Sequence, residues 1–174
     1  MKKVLIIISL FILCGCYNST PTKEVESYFT KYQTKPDEML NNIENIIDFS
    51  NYTEDQKEEH LKIVKSNYQN LEYIIKNEEI NANKAVVTVE INVYDYSRTL
   101  SDSLEYRDNY IDEFMNDGYY DEKRFIDYKI NKLKQVSDKV KYTLNIELTK
   151  IDNKWYIDEL SKEYLEKING IYKY

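Results

Sequence analysis

Chemistry in a protein needs a nucleophile, a proton carrier or a set of metal ligands at close spacing, and this chain has few residues able to serve. It has one histidine, His60, and two cysteines, Cys14 and Cys16. His60 follows Glu58 and Glu59 in a stretch of helical periodicity, on the side expected to face solvent. As a general base it would need an orienting partner and a reacting group within hydrogen-bond reach, and the neighbouring sequence supplies neither. Three glycines, at 15, 118 and 170, are too scattered to cradle a phosphate. No pair of Cys or His stands at the spacing of a transition-metal site. The carboxylates Asp102, Glu105, Asp108, Asp112 and Glu113 recur along a helical stretch, as a solvated face does. Asp117-Gly118 lacks the alternating oxygen ligands and distal Glu of a calcium loop, and no serine sits in a nucleophile elbow. The expectation is a protein with no catalytic residue, no metal and no cofactor.

The cysteines carry a sharper signal of another kind. Lys2 and Lys3 precede an apolar run from Val4 to Leu13, too short for the roughly 20 residues a membrane span needs. A basic start, a short apolar core and a small residue before a cut site make a secretory signal peptide. Leu13-Cys14-Gly15-Cys16 resembles the lipobox of bacterial lipoproteins, in which the cysteine after the small residue receives a diacylglyceryl group before cleavage. The resemblance implies residues 1–15 as signal peptide, cleavage between Gly15 and Cys16, and lipidation of Cys16. Cys14 fits that role poorly, because Leu13 before it and Phe11 three places before it are bulky. With Cys14 removed and Cys16 acylated, no cysteine remains for a disulfide. The expected location is the cell membrane, lipid-anchored and facing the extracytoplasmic side.

Removing residues 1–15 leaves 159 residues, about the size of one domain with a real core. Loss of Lys2 and Lys3 takes the formal charge from −7 to −9. So acidic a body is repelled by nucleic acid and, taken as a whole, by anionic lipid, and anchoring is left to acyl chains, two of which suffice for stable attachment without a polybasic patch. Tyrosine is abundant, 18 of 174 residues, which fits an aromatic surface for sugars or peptides and fits better a substitute for Phe and Leu at half-buried positions.

Periodicity orders the rest. Residues 16–21 form a short tether. Pro21 suits the first turn of a helix capped by Thr20 or Thr22, with Val25, Tyr28, Phe29 and Tyr32 on one face. Pro36 opens a second helix carrying Met39, Leu40, Ile43, Ile46 and Ile47. Thr53 and Gln56 form a capping box for a third, whose inward stripe is read as Leu61, Val64 and Tyr68. Leu71 to Ile80 reads as a strand. Ala85 to Tyr96 reads as a second, with Ala85, Val87, Val89, Ile91 and Val93 on one face and Tyr94 and Tyr96 on the other. Two helical pieces follow across 99–138, the first with Tyr106, Tyr110, Ile111 and Phe114 inward, the second capped by Asp121 with Phe125, Ile126, Ile130 and Leu133 inward. Val140, Tyr142, Leu144, Ile146 and Leu148 mark a third strand, which turns at Asp152-Asn153-Lys154 into Trp155-Tyr156-Ile157. Glu159 to Asn169 closes the chain as a helix.

This order of elements, with Thr149-Lys150-Ile151-Asp152-Asn153-Lys154-Trp155-Tyr156-Ile157-Asp158 and Leu160-Ser161-Lys162-Glu163, resembles low-GC Gram-positive lipoproteins whose domains of unknown function have a cone-shaped fold similar to nuclear transport factor 2. The fold class expected is therefore α+β: N-terminal helices on a curved four-stranded antiparallel sheet, NTF2-like, with a helical hairpin between strands 2 and 3, over residues 22–172 as a single domain. The function expected is non-enzymatic binding of a small ligand or an envelope protein, with Tyr94, Tyr96, Tyr142 and Trp155 as pocket or surface candidates. Of these, Tyr142 and Trp155 suit a core and Tyr94 and Tyr96 a surface. An acid/base enzyme using the same pocket, and a structural or immunity-type interaction protein without one, are the alternatives.

Overall fold

The computed structural model describes residues 19–173, apart from the side chain of Asn42. The Leu13–Cys16 motif, with the cleavage site and the lipidation candidate, lies outside the described residues.

Alternation of apolar and polar residues builds the sheet. Lys84–Tyr94 (β2) pairs antiparallel along its whole length with Lys139–Ile151 (β5), Lys84 opposite Thr149 and Tyr94 opposite Lys139. Glu72–Asn81 (β1) flanks β2, and Lys154–Ile157 (β6) flanks β5, so the strand order is β1-β2-β5-β6 with every neighbour antiparallel. One face holds Val87, Val89, Ile91, Leu144, Ile146 and Leu148, all fully buried, each contributing about 1.5–3 kcal/mol. The other face stays wet: Thr88 donates to Asn145 Oδ1 at 3.0 Å, and Glu90 lies 3.5 and 3.6 Å from Lys76 and Lys141. One packed face and one solvated face is what an antiparallel sheet permits.

Pro21–Thr34 (α1) lies across the apolar face with Val25, Phe29 and Tyr32 buried, its first turn closed by the Thr20 side chain, which accepts from the Lys23 N–H. Pro36–Met39 (α2) passes at once into a 3-10 turn, Leu40–Asn45, so the spacing that continues to Ile47 is realised in two short pieces. Glu54–Gln69 (α3) opens on the Thr53–Gln56 capping box.

Between β2 and β5 lie Tyr96–Asn109 (α4), a 3-10 turn at Ile111–Phe114, a ribbon of Met115–Asn116 (β3) and Tyr119–Tyr120 (β4), and Glu122–Leu133 (α5). α4 and α5 pack together, and α5 also packs on α3. Phe125, Ile126, Ile130 and Leu133 are buried as their spacing predicts, but Tyr110 and Ile111 are exposed, because α4 has already ended at Asn109. The closing helix, Lys162–Ile168 (α6), starts later than Glu159, at a cap supplied by Ser161.

Two further expectations need correction. The inward side of α3 is Gln56, His60, Ile63, Val64, Asn67 and Tyr68, while Leu61 is only half-buried. His60 is therefore not solvated: α3 packs on both α1 and α5, so a wider arc of it is covered than an apolar stripe reveals. The strand read to Tyr96 ends at Tyr94, because the Asp95 carboxylate accepts from the Arg98 N–H and starts α4. Tyr96 is thus the first helical residue, and buried.

The Tyr94 end of the sheet is locked by polar groups. Asn67, buried, donates from Nδ2 to Ile168 O at 3.0 Å and accepts the Tyr94 N–H at 3.1 Å. The Tyr68 hydroxyl donates to Asn169 Oδ1 at 2.9 Å, and the Ser97 N–H donates to Gly170 O at 2.9 Å. Gly170 has φ +71°, and a Cβ there would meet Tyr94 O at 2.0 Å. Ten residues of β2 separate this end from the Lys84 end, roughly 33 Å of strand. No helix among the described residues is long and apolar enough to cross a membrane.

Candidate functional site

Several clefts of about 390–520 Å³ mark the described surface, and two of them adjoin the rings singled out from the sequence. The first, of about 520 Å³, opens at the Tyr94 end between α4 and α5. Arg98, Asp102 and Tyr106 recur every four residues along α4, and Tyr128 and Lys132 do the same on α5, so each set shares a helix face and together they line the cleft, closed by Gln135–Asp138. The Tyr106 and Tyr128 rings stack at 4.9 Å with 12° between their planes, and Lys132 Nζ lies 5.3 Å from the Tyr128 ring. The Tyr106 hydroxyl donates to both Glu113 oxygens, at 2.9 and 3.0 Å, and that carboxylate raises its pKa. The Ser103 hydroxyl is committed to Thr99 O at 2.7 Å, so it is not activated by a base. The cleft offers hydrogen bonds, mixed charge and ring faces, without a nucleophile–base pair.

The second cleft, about 440 Å³, lies between α1 and the edge strand β6, lined by Ser19, Ser27, Tyr28, Lys31 and residues 154–157. Tyr28 and Tyr32 hydroxyls are 3.0 Å apart, and burial lifts the Tyr28 phenol above its ordinary pKa. Lys150 Nζ sits 5.6 Å from the Trp155 ring. A ring wall beside lysines suits an amphipathic occupant.

His60 lines neither cleft. Its Nδ1 is 3.0 Å from the Tyr52 hydroxyl, and Phe49 meets its ring edge-on at 5.5 Å. Burial, helped by the Lys129 charge, lowers its pKa to about 4, and burial with the charges of Glu122 and Asp48 raises Tyr52 to about 12. The orienting partner not evident in the sequence is therefore present, eight residues upstream. Beside it, Gln56 Nε2 donates to Lys123 O and Asp127 Oδ1, tying α3 to α5.

The four rings proposed from sequence do not share one cavity. Tyr94 is half-buried below Lys139 Nζ at 5.6 Å, and its ring is 5.9 Å from that of Tyr96, whose hydroxyl donates to Ile63 O at 3.4 Å. Tyr142 is buried opposite Ile91, packed edge-on against Tyr172. Trp155 is buried opposite Lys150 and forms one wall of the second cleft. Tyr142 and Trp155 are thus eight β5 positions apart, roughly 27 Å along the strand. Missed were Arg98 and Lys132, whose four-residue spacing to Asp102 and Tyr128 was the available signal.

No family model matches the chain, and no curated protein matches it. Among solved structures, it is similar to a Bacillus subtilis protein assigned as a lipoprotein (ycdA), at 13% identity and a TM-score of 0.47, covering 90% of this chain and 48% of that one. The chain thus spans about half the length of the protein it matches.

Proposed function

We propose that the chain is a bacterial lipoprotein of the cell envelope, anchored to the outer side of the cell membrane by acyl chains on Cys16, whose α+β domain binds a small ligand or an envelope partner without catalysing a reaction. The observation that carries this reading is Leu13-Cys14-Gly15-Cys16 behind a basic, apolar leader. Its fit with the fold is that α1 is already capped at Thr20, so the tether is short and the domain stands at the bilayer. The element order supports an NTF2-like cone as the scaffold.

Binding rather than catalysis is favoured by where the reactive groups lie. Acid/base work needs a titratable group facing the reacting atom. His60 is turned against Tyr52 and Phe49 and lines neither cleft, and Ser103 is spent on backbone. The cleft between α4 and α5 keeps paired rings and opposite charges facing one space, which suits recognition of a polar, zwitterionic or aromatic ligand.

The test is metabolic labelling of the full-length protein with a fatty-acid analogue. Label in the wild type and in Cys14→Ser, but not in Cys16→Ser, is expected. Equal label in Cys16→Ser would refute the anchor.

A further inference from the structure

We infer that the Lys84 end of the sheet is a lipid-docking surface that rests on anionic headgroups and points the α4–α5 cleft away from the bilayer. The inference rests on the anchor reading of Cys16 and adds an orientation to it.

Three observations converge on that end. The first is where the chain enters. Three peptide units separate Cys16 from Ser19, a reach of at most about 11 Å. Ser19 sits beside Lys154, Trp155 and Tyr156, and the Thr22 N–H and hydroxyl both donate to Glu78 of β1, at 2.8 and 2.7 Å. The start of α1 therefore lies across the turn end of the sheet, and an acyl chain on Cys16 brings that end to the membrane.

The second is what the end displays. The Lys150 N–H donates to Asn83 O at 2.8 Å, so the β1–β2 and β5–β6 turns are held side by side. Ile80, Ile151 and Tyr156 are 54%, 55% and 50% exposed there. Aliphatic and aromatic side chains mixed with lysines are the composition of a membrane–water interface, where rings sit among headgroups and lysine stems bury their methylenes.

The third is charge. The two turns themselves carry Lys84, Lys150 and Lys154 against Asp152, while Glu78 and Glu79 stand farther back on β1, in a chain whose formal charge is −7. Asp158 takes up part of this by pairing with Lys84 at 3.2 Å. Ile111, Tyr119 and Tyr120 are also exposed, but the segment that holds them, residues 111–124, sets Asp112, Glu113, Asp117, Asp121 and Glu122 against Lys123 and Arg124, an acidic balance that an anionic bilayer repels. Attraction to anionic lipid fades within a Debye length, about 8 Å at physiological salt, so only groups held at the surface by the tether feel it.

The acylated full chain, purified from membranes and placed in phosphatidylglycerol–phosphatidylethanolamine vesicles, tests this. A fluorophore on Ile151→Cys or on Asp138→Cys, at opposite ends of β5, is read against quencher lipids labelled on the headgroup. Quenching several-fold stronger at 151 than at 138 is expected, falling when Lys150 and Lys154 are both changed to Glu or when the vesicles are neutral. Equal quenching, or stronger quenching at 138, on protein whose mass confirms the acyl chains overturns the docking surface and leaves the anchor intact. Protein lacking acyl chains sinks the anchor reading and this inference with it.

Discussion

At the Tyr94 end of the sheet, polar side chains are buried and satisfied by backbone; at the Lys84 end, apolar side chains are left in solvent. Asn67 is 1% exposed and ties α3 to Tyr94 and to Ile168, 27 and 101 residues further along the chain. Ile151 is 55% exposed at the end of β5. A buried amide with its partners made is costly to disturb, because each orphaned group then bears its desolvation penalty. An exposed isoleucine contributes little to folding. The contrast separates a part of the domain kept for structure from a part free to meet something else.

Substitutions at the locked end should have the largest effects. Gly170→Ala places a Cβ against Tyr94 O at a positive φ, and a loss of about 4 kcal/mol in urea unfolding is expected. A loss below about 1 kcal/mol would mean that the α6–β2 junction is looser than described. Asn67→Ala leaves Ile168 O and the Tyr94 N–H without their partner, for about 3 kcal/mol. Tyr68→Phe, which removes the Asn169 bond alone, should cost less than Asn67→Ala in the same measurement.

His60 gives the comparison a pH dependence. Its folded pKa, about 4, lies below the ordinary value of about 6.5. Between those values the unfolded chain binds the extra proton, so the contribution is present above about pH 6.5 and is lost as pH falls toward 4, by about 3 kcal/mol in all. Protonation would set an imidazolium beside Lys129, with Asp48 and Glu122 as the counter-charges near Tyr52. The melting temperature of His60→Gln should therefore fall less steeply over that window than that of the wild type. Parallel curves would place His60 in water.

At the open end the effects on folding should be smallest. Ile151→Ser and Tyr156→Ser should each stay within about 0.5 kcal/mol of wild type. A larger cost at either would fold that residue back into the core and weaken its claim as a contact surface.

Much of the fold was legible because alternation and caps are local. Val87 to Val93 and Leu144 to Leu148 announce a buried face by period alone, and Thr53 with Gln56 announces a helix start. What escaped depended on distant partners. His60 reads as a surface residue, and Asn67 carries no signal of its own, until Tyr52 and then Ile168 O and Tyr94 N are known to face them. Asp95 continues the parity of β2 and equally suits an N-cap, and only the onset of α4 decides between them, carrying Tyr96 into the core. The α4–α5 cleft escaped for the same reason, since Arg98 and Lys132 meet only after two helices pack.

The most direct measurement of the central claim is the intact mass and N-terminal peptide of the protein isolated from membranes of the cell that makes it. The account predicts a mature chain beginning at Cys16, heavier than its amino-acid sequence by a thioether-linked diacylglyceryl group. A chain that begins elsewhere, or begins at Cys16 with an unmodified thiol, would contradict it.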